Sequence, residues 1–117
     1  MNRVFYLKTC DTCKRIMKQV DLSSFELREI KSQGITNQEL QELHALSGSY
    51  ESLLNKRSQL YKSQGLKDKK LSEAQIKELI LEHYTFLKRP VFQIGEKLFI
   101  GNSKATIEDL LRELSLN

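Results

Sequence analysis

Both cysteines of the chain fall in one short stretch, "YLKTCDTCKRIMK", as Cys10 and Cys13. A Cys-x-x-Cys can act as a redox pair, supply half of a zinc site, form a structural disulfide, or be two unreactive thiols. Position separates these readings better than spacing does. Cys10 falls where a short apolar run ends and a helical pattern begins. Its sulfur can therefore face the unpaired amides of a first helical turn, which with the helix dipole stabilise a thiolate. Lys8, Lys14 and Arg15 add positive charge nearby, and Asp11 opposes it. Cys13 instead shares an i, i+3, i+4, i+7 apolar stripe with Ile16, Met17 and Val20, so it should be the more buried thiol. The pattern casts Cys10 as the attacking nucleophile and Cys13 as the resolving thiol, which releases an adduct on Cys10 by closing a Cys10–Cys13 disulfide.

A zinc site needs further ligands. Only His44 and His83 are on offer, in separate helical segments and without a ligand spacing, so no metal is expected and both read as core-edge or surface residues. The longest apolar run covers residues 4–7, too short for a membrane span or a secretory signal. The expected setting is cytoplasmic, where stable structural disulfides are rare. A redox pair and two unreactive thiols are left. The formal net charge of +4 comes from bases interleaved with acids, as in "KDKKLSEAQIKELILE". No basic block or arginine–aromatic alternation points to direct nucleic-acid binding, whereas a small anionic substrate or an acidic protein patch is compatible. At 117 residues the chain suits one domain, and nothing in it demands a partner chain, so a monomer is expected.

The elements that must position the pair are readable from periodicity. Residues 3–7, "RVFYL", form a strand covered on both faces, and a helix follows from near Asp11. "FELREI", residues 25–30, alternates like a strand near a sheet edge. Strand, helix and strand in this span predict a βαβ unit with parallel strands. The middle is helical: Thr36 with Glu39, and Ser72 with Gln75, are capping-box signatures. A further helix is expected over residues 50–61, and His83 is expected on the apolar face of the helix opened by Ser72. "PVFQIGEKLFI" reads as two strands around Gly95-Glu96-Lys97, and Ser103 can cap a last helix with Ile107, Leu110, Leu111 and Leu114 as its stripe. The order β-α-β, helices, β-β-α is thioredoxin-like.

Pro90, the one proline, opens the strand "VFQI" after Arg89. It suits either a proline tolerated at the first position of a strand or one that faces the cysteine helix. In the second case Arg89 lies near the thiols and can bind an oxyanion or carboxylate bidentately. Arg57, in "LLNKRSQLYK", reads on its own pattern as an ordinary exposed helix residue.

Taken together, "FYLKTCDTCKR", "LLNKRSQLYK" and "FLKRPVFQIGEKLFIGNS" are similar to segments of the arsenate reductase (ArsC)/Spx family, and the resemblance spans nearly the whole chain. It implies an α/β, thioredoxin-like mixed four-stranded sheet flanked by helices. Residues 1–117 would form a single domain, with a core of 1–34 and 84–117 and an inserted helical subdomain at 35–83. It implies Cys10 as nucleophile, Pro90 as a cis-proline beside it, and Arg57 and Arg89 as two arginines of an oxyanion site. Two features depart from the arsenate reductases of this family. The glutaredoxin-coupled type has no second cysteine at the position of Cys13, which matches Spx-type members instead. A third oxyanion arginine is expected near "FIGNS", where this chain has Gly101 and Asn102. Losing one cation of three weakens arsenate binding by about 1–3 kcal/mol, the scale of a charged hydrogen bond. The expected function is thus a thiol–disulfide reductase acting on a small anionic or disulfide substrate. It would bind no cofactor, and glutathione with glutaredoxin, or thioredoxin, would serve as external reductant and redox partner protein. The alternative is an Spx-like redox-sensing regulator that binds the RNA polymerase alpha subunit.

Overall fold

The structure is a computed structural model that describes residues 1–115. The chain divides into two compact units, one of residues 1–33 with those from Arg89 onward, the other Gly34–Lys88.

In the first unit, β1 (Asn2–Tyr6) leads into α1 (Asp11–Met17), and β2 (Glu26–Glu29) returns parallel to β1. After the second unit the chain re-enters as β3 (Val91–Ile94), turns into β4 (Lys97–Ile100) and ends in α5 (Lys104–Ser115). The strands form one mixed sheet in the order β2-β1-β3-β4, with β3 antiparallel to both its neighbours. The β3–β4 turn places Gly95 at φ +61°, a left-handed conformation that glycine adopts without strain. β1 is central, which explains its unbroken apolar sequence: Val4 and Phe5 point to opposite faces and both are fully buried. β2 is an edge strand, as its charged alternation implied.

Val4 packs with Ile16, Val20, Phe25, Phe92 and Leu110, and the α5 stripe of Ile107, Leu111 and Leu114 closes over this cluster. Phe25 meets Phe92 edge to face, with centroids 5.7 Å apart. The opposite face of the sheet is built differently. Arg3 donates to Gln93 Oε1 at 3.2 Å, and the Arg3 and Arg28 guanidinium groups lie 5.0 and 5.9 Å from the Phe5 ring centre.

The second unit holds α2 (Asn37–Ser47), α3 (Gln59–Ser63) and α4 (Glu73–Glu82), with single 3-10 turns at Glu51–Leu53, Leu66–Asp68 and Tyr84–Phe86. Both capping boxes form. Thr36 Oγ1 accepts the Glu39 N–H while Glu39 Oε1 accepts the Thr36 N–H, and Ser72 and Gln75 do the same for α4. The continuous helix expected over residues 50–61 does not form. Leu54 is extended, the Asn55 N–H donates to the Phe86 carbonyl and the Lys88 N–H donates to the Leu53 carbonyl, each at 2.8 Å. These long-range bonds, with the Asn55 side chain on Thr85, divert the backbone from helix, and only residues 59–63 resume it. His83 is likewise not on the face of α4. It terminates the helix with φ −149°, its Nδ1 accepting the Thr85 N–H, a local bond that competes with another helical turn.

Among the described residues no helix is long and apolar enough to cross a membrane, and no cluster of three or more His, Cys, Asp or Glu side chains could hold a metal ion.

Candidate active site

Strand register brings the chemically interesting loops of the first unit to one end of its sheet. Phe5 pairs with Val91, and Val91 pairs with Ile100. The segment leaving β1 toward Cys10, the Arg89-Pro90 entry to β3 and the Gly101-Asn102 exit from β4 therefore share an edge. Because β2 is parallel to β1, Glu29 at its C-terminal end joins them.

The cysteine loop is anchored at both sides. The Cys10 N–H donates to the Leu7 carbonyl at 3.1 Å, closing a turn, and the Cys10 carbonyl accepts the Lys14 N–H, opening α1. Glu29 straps the loop to β2. Its carboxylate accepts the N–H of Lys8 at 2.8 Å, of Lys31 at 3.0 Å and of Ser32 at 2.6 Å. Burial, the largest influence, pushes the Glu29 carboxyl up, but these backbone donors outweigh it and hold the group below its usual range.

Cys10 is the N-cap of α1, extended at φ −89° and ψ 113°, and its Sγ accepts the Cys13 N–H at 3.5 Å. Both thiols are free. Burial pushes the half-buried Cys10 thiol up, yet it ends below its ordinary value. Bonds from the Cys13 backbone and thiol, the Thr12 amide and the positive charge of Arg89 all favour the thiolate. Cys13 goes the other way, to about 12. It is 0% exposed, so desolvation dominates; the Leu7 amide and Arg89 pull the other way, and the neighbouring Cys10 sulfur, which disfavours a second negative charge, adds to the rise. The two sulfurs thus differ: the environment of Cys10 favours its thiolate, while Cys13 holds its proton and its thiol bonds toward Cys10.

Arg89 is half-buried and its charge favours the thiolate at both cysteines. Pro90 is buried, and the Arg89–Pro90 peptide bond is cis. The Pro90 carbonyl accepts the Gly101 N–H at 2.9 Å, and the Arg89 carbonyl accepts from Asn102 Nδ2 at 3.3 Å. Arg57 belongs to the other unit, where it is exposed and its N–H donates to Asn55 Oδ1. His44 stacks on Tyr50 and approaches Glu73, and His83 stacks on Tyr84, all within that unit. An open cavity of about 720 Å³, lined by Asn2, Val20, Phe25, Ile94 and Leu114 among others, sits at the start of β1, the end of the sheet opposite the cysteines. The cysteine loop does not line that cavity.

Two residues of this constellation were not singled out by sequence reasoning. The Glu29 strap bonds a residue 21 positions away, and the only hint is a glutamate ending a strand before "KS". Asn102 stood out only as the wrong residue for a cation, not as an amide donor.

The family model described as the ArsC family matches residues 5–110. No curated protein matches the chain significantly. Among solved structures, a YffB protein is 23% identical with a TM-score of 0.81, over 97% of this chain and 99% of that one. A Staphylococcus aureus protein is 27% identical with a TM-score of 0.75, over 93% and 97%. An arsenate reductase from Vibrio cholerae is 17% identical with a TM-score of 0.72, over 95% of each chain. These likenesses give the fold, and the family model's span over the cysteine loop, both β-units and most of α5 gives the lineage: the chain belongs to the ArsC family, with its thioredoxin-like architecture.

Proposed function

We propose that the protein is a cytoplasmic thiol–disulfide reductase in which Cys10 attacks and Cys13 resolves. The Cys10 thiolate displaces one sulfur of a substrate disulfide, forming a mixed disulfide and releasing a thiolate. Cys13 then gives up its proton and attacks Cys10 Sγ. The second substrate thiolate leaves and takes up a proton, and the chain holds a Cys10–Cys13 disulfide, having passed two electrons to the substrate. A low-molecular-weight thiol such as glutathione with a glutaredoxin, or a thioredoxin, restores the two thiols. The observation that carries this reading is the asymmetry of the pair, a half-buried capping sulfur that accepts the amide of a fully buried partner.

Arg89 supplies the positive charge for an anionic leaving group or substrate. The family resemblance, rather than a distance, puts Arg57 forward as a second cation, and its contribution is read from the KM of an anionic substrate in Arg57→Gln. Neither residue makes arsenate the preferred substrate, because an amide stands where a third cation is expected.

Steady-state reduction of a small aromatic disulfide, followed by mass spectrometry of the intact protein, tests the assignment. Cys10→Ser abolishes turnover, and Cys13→Ser accumulates the mixed disulfide on Cys10. Wild-type turnover by both variants excludes the mechanism.

A further inference from the structure

We propose that Asn102 is a positioning residue for Arg89, fixing the backbone from which that side chain grows at the cysteine end of the sheet. The inference rests on the reading of Arg89 as the cation of the site.

The exit from β4 is a rigid bracket. Gly101 turns at φ +86°, a left-handed conformation that glycine supplies readily, and its N–H is bonded to the Pro90 carbonyl. On the other side Ser103 is tied into α5: its Oγ accepts the Thr106 N–H at 3.1 Å, and its carbonyl accepts the Ile107 N–H at 3.0 Å. Asn102 is therefore fixed from both ends, and its amide is delivered to the Arg89 carbonyl. Two consecutive carbonyls, of Arg89 and Pro90, are thus held by two consecutive residues, Gly101 and Asn102. With its carbonyl and that of Pro90 both held, the backbone from which the Arg89 side chain grows is fixed, and with it the origin of a charge that favours the thiolate.

An asparagine suits this task for a definite reason. The bond needs a donor facing a carbonyl, so an aspartate would present oxygen to oxygen and repel. A cation there would bring its own charge to the substrate instead of stiffening Arg89. The loop at residues 101–102 is on this account a change of strategy, one well-held arginine in place of a further positive charge.

The test combines ultraviolet titration of the Cys10 thiolate with kinetics on two model disulfides, one carrying carboxylates and one neutral. Asn102→Ala raises the thiolate pKa and raises KM for the carboxylated disulfide roughly 2- to 10-fold, the effect of one neutral hydrogen bond, with a smaller change in kcat. Asn102→Asp does more in the same direction. In an Arg89→Gln background, Asn102→Ala moves neither readout further, because the guanidinium that the bond positions is gone although the residue-89 carbonyl remains. Ser103→Ala, which removes the α5 cap, lowers the melting temperature without moving either readout. Wild-type titration and KM in Asn102→Ala and Asn102→Asp overturn the proposal, and so does an Asn102 effect that persists in Arg89→Gln. If Arg89→Gln itself moves neither readout, the role given to Arg89 falls, and the positioning role falls with it.

Discussion

Within the sheet-bearing unit, the cysteine end and the apolar core below it are stabilised by different means. The core is side chain against side chain: Val4, Ile16, Phe92 and Leu110 are buried without polar partners to satisfy, and α5 covers them with one stripe. The cysteine end is held by side chains and amides reaching for backbone groups. Glu29 takes three N–H donors, Cys10 takes the Cys13 amide, and Gly101 and Asn102 take two carbonyls. Core packing resists loss of volume at several kcal/mol per large side chain, whereas each partly exposed hydrogen bond contributes about 1 kcal/mol. The unit can therefore keep a firm fold while its cysteine loop is held by bonds that cost little to change. Substitutions at the two places should separate stability from reactivity.

The largest effect on stability is expected in the core. Leu110→Ala should cost about 2–5 kcal/mol in chemical denaturation, yet leave the Cys10 thiolate pKa where it was. A shift of that pKa in the folded variant would dissolve the distinction between the two regions. Phe92→Leu, which keeps most of the volume, should cost clearly less by the same measurement and again spare the thiol.

Next in size is the strap. Glu29→Ala leaves the Lys8, Lys31 and Ser32 amides without their shared acceptor and should lower stability by about 1–3 kcal/mol. Unlike the core variants, it should also speed alkylation of Cys10 by loosening its loop, a rate measurable with iodoacetamide. The strap has a pH signature as well. Its folded pKa is depressed, so Glu29 contributes stability that is fully present above its unfolded value of about 4.3 and is lost as pH falls through the folded pKa. In Glu29→Gln that part of the acid sensitivity should disappear from a stability-against-pH curve.

The thiols are expected to have a pH-dependent effect on stability, with opposite signs at the two positions. Cys10, with a lowered folded pKa, adds stability that is present above the unfolded thiol value and lost as pH falls through the folded one. Cys13, raised to about 12, adds stability that is present below the unfolded value of about 8.5 and lost as pH rises through the folded one. Denaturation of the reduced protein between neutral and alkaline pH should accordingly change in opposite directions for Cys10→Ser and Cys13→Ser. The same direction for both would mean that the pair is not asymmetric.

The same contrast governs what could be read from the sequence. Core positions follow from period: the α1 and α5 stripes, the unbroken apolar β1 and the charged edge β2 were all visible, because burial acts on every residue of an element. Capping boxes were visible because both partners lie three residues apart. The bonds that shape the site were not. Glu29 to Lys8, Asn102 to Arg89 and Asn55 to Phe86 each join residues far apart in sequence, and a polar side chain looks the same whether it faces solvent or a distant amide. That last bond is why a helix expected over residues 50–61 is broken at Leu54. In the candidate site, the sequence singled out the cysteines, Pro90 and Arg89, which the structure puts at one end of the sheet, but not the bonds that hold them there.

The central claim is that one thiol of the pair is activated and the other suppressed. Titrating the reduced protein by thiolate absorbance near 240 nm, with the sites separated by Cys10→Ser and by differential alkylation, tests it directly. Cys10 should ionise below the ordinary cysteine value, and Cys13 should stay protonated until about pH 12. Equal titration of the two thiols, or a Cys10 that ionises above Cys13, would contradict the account.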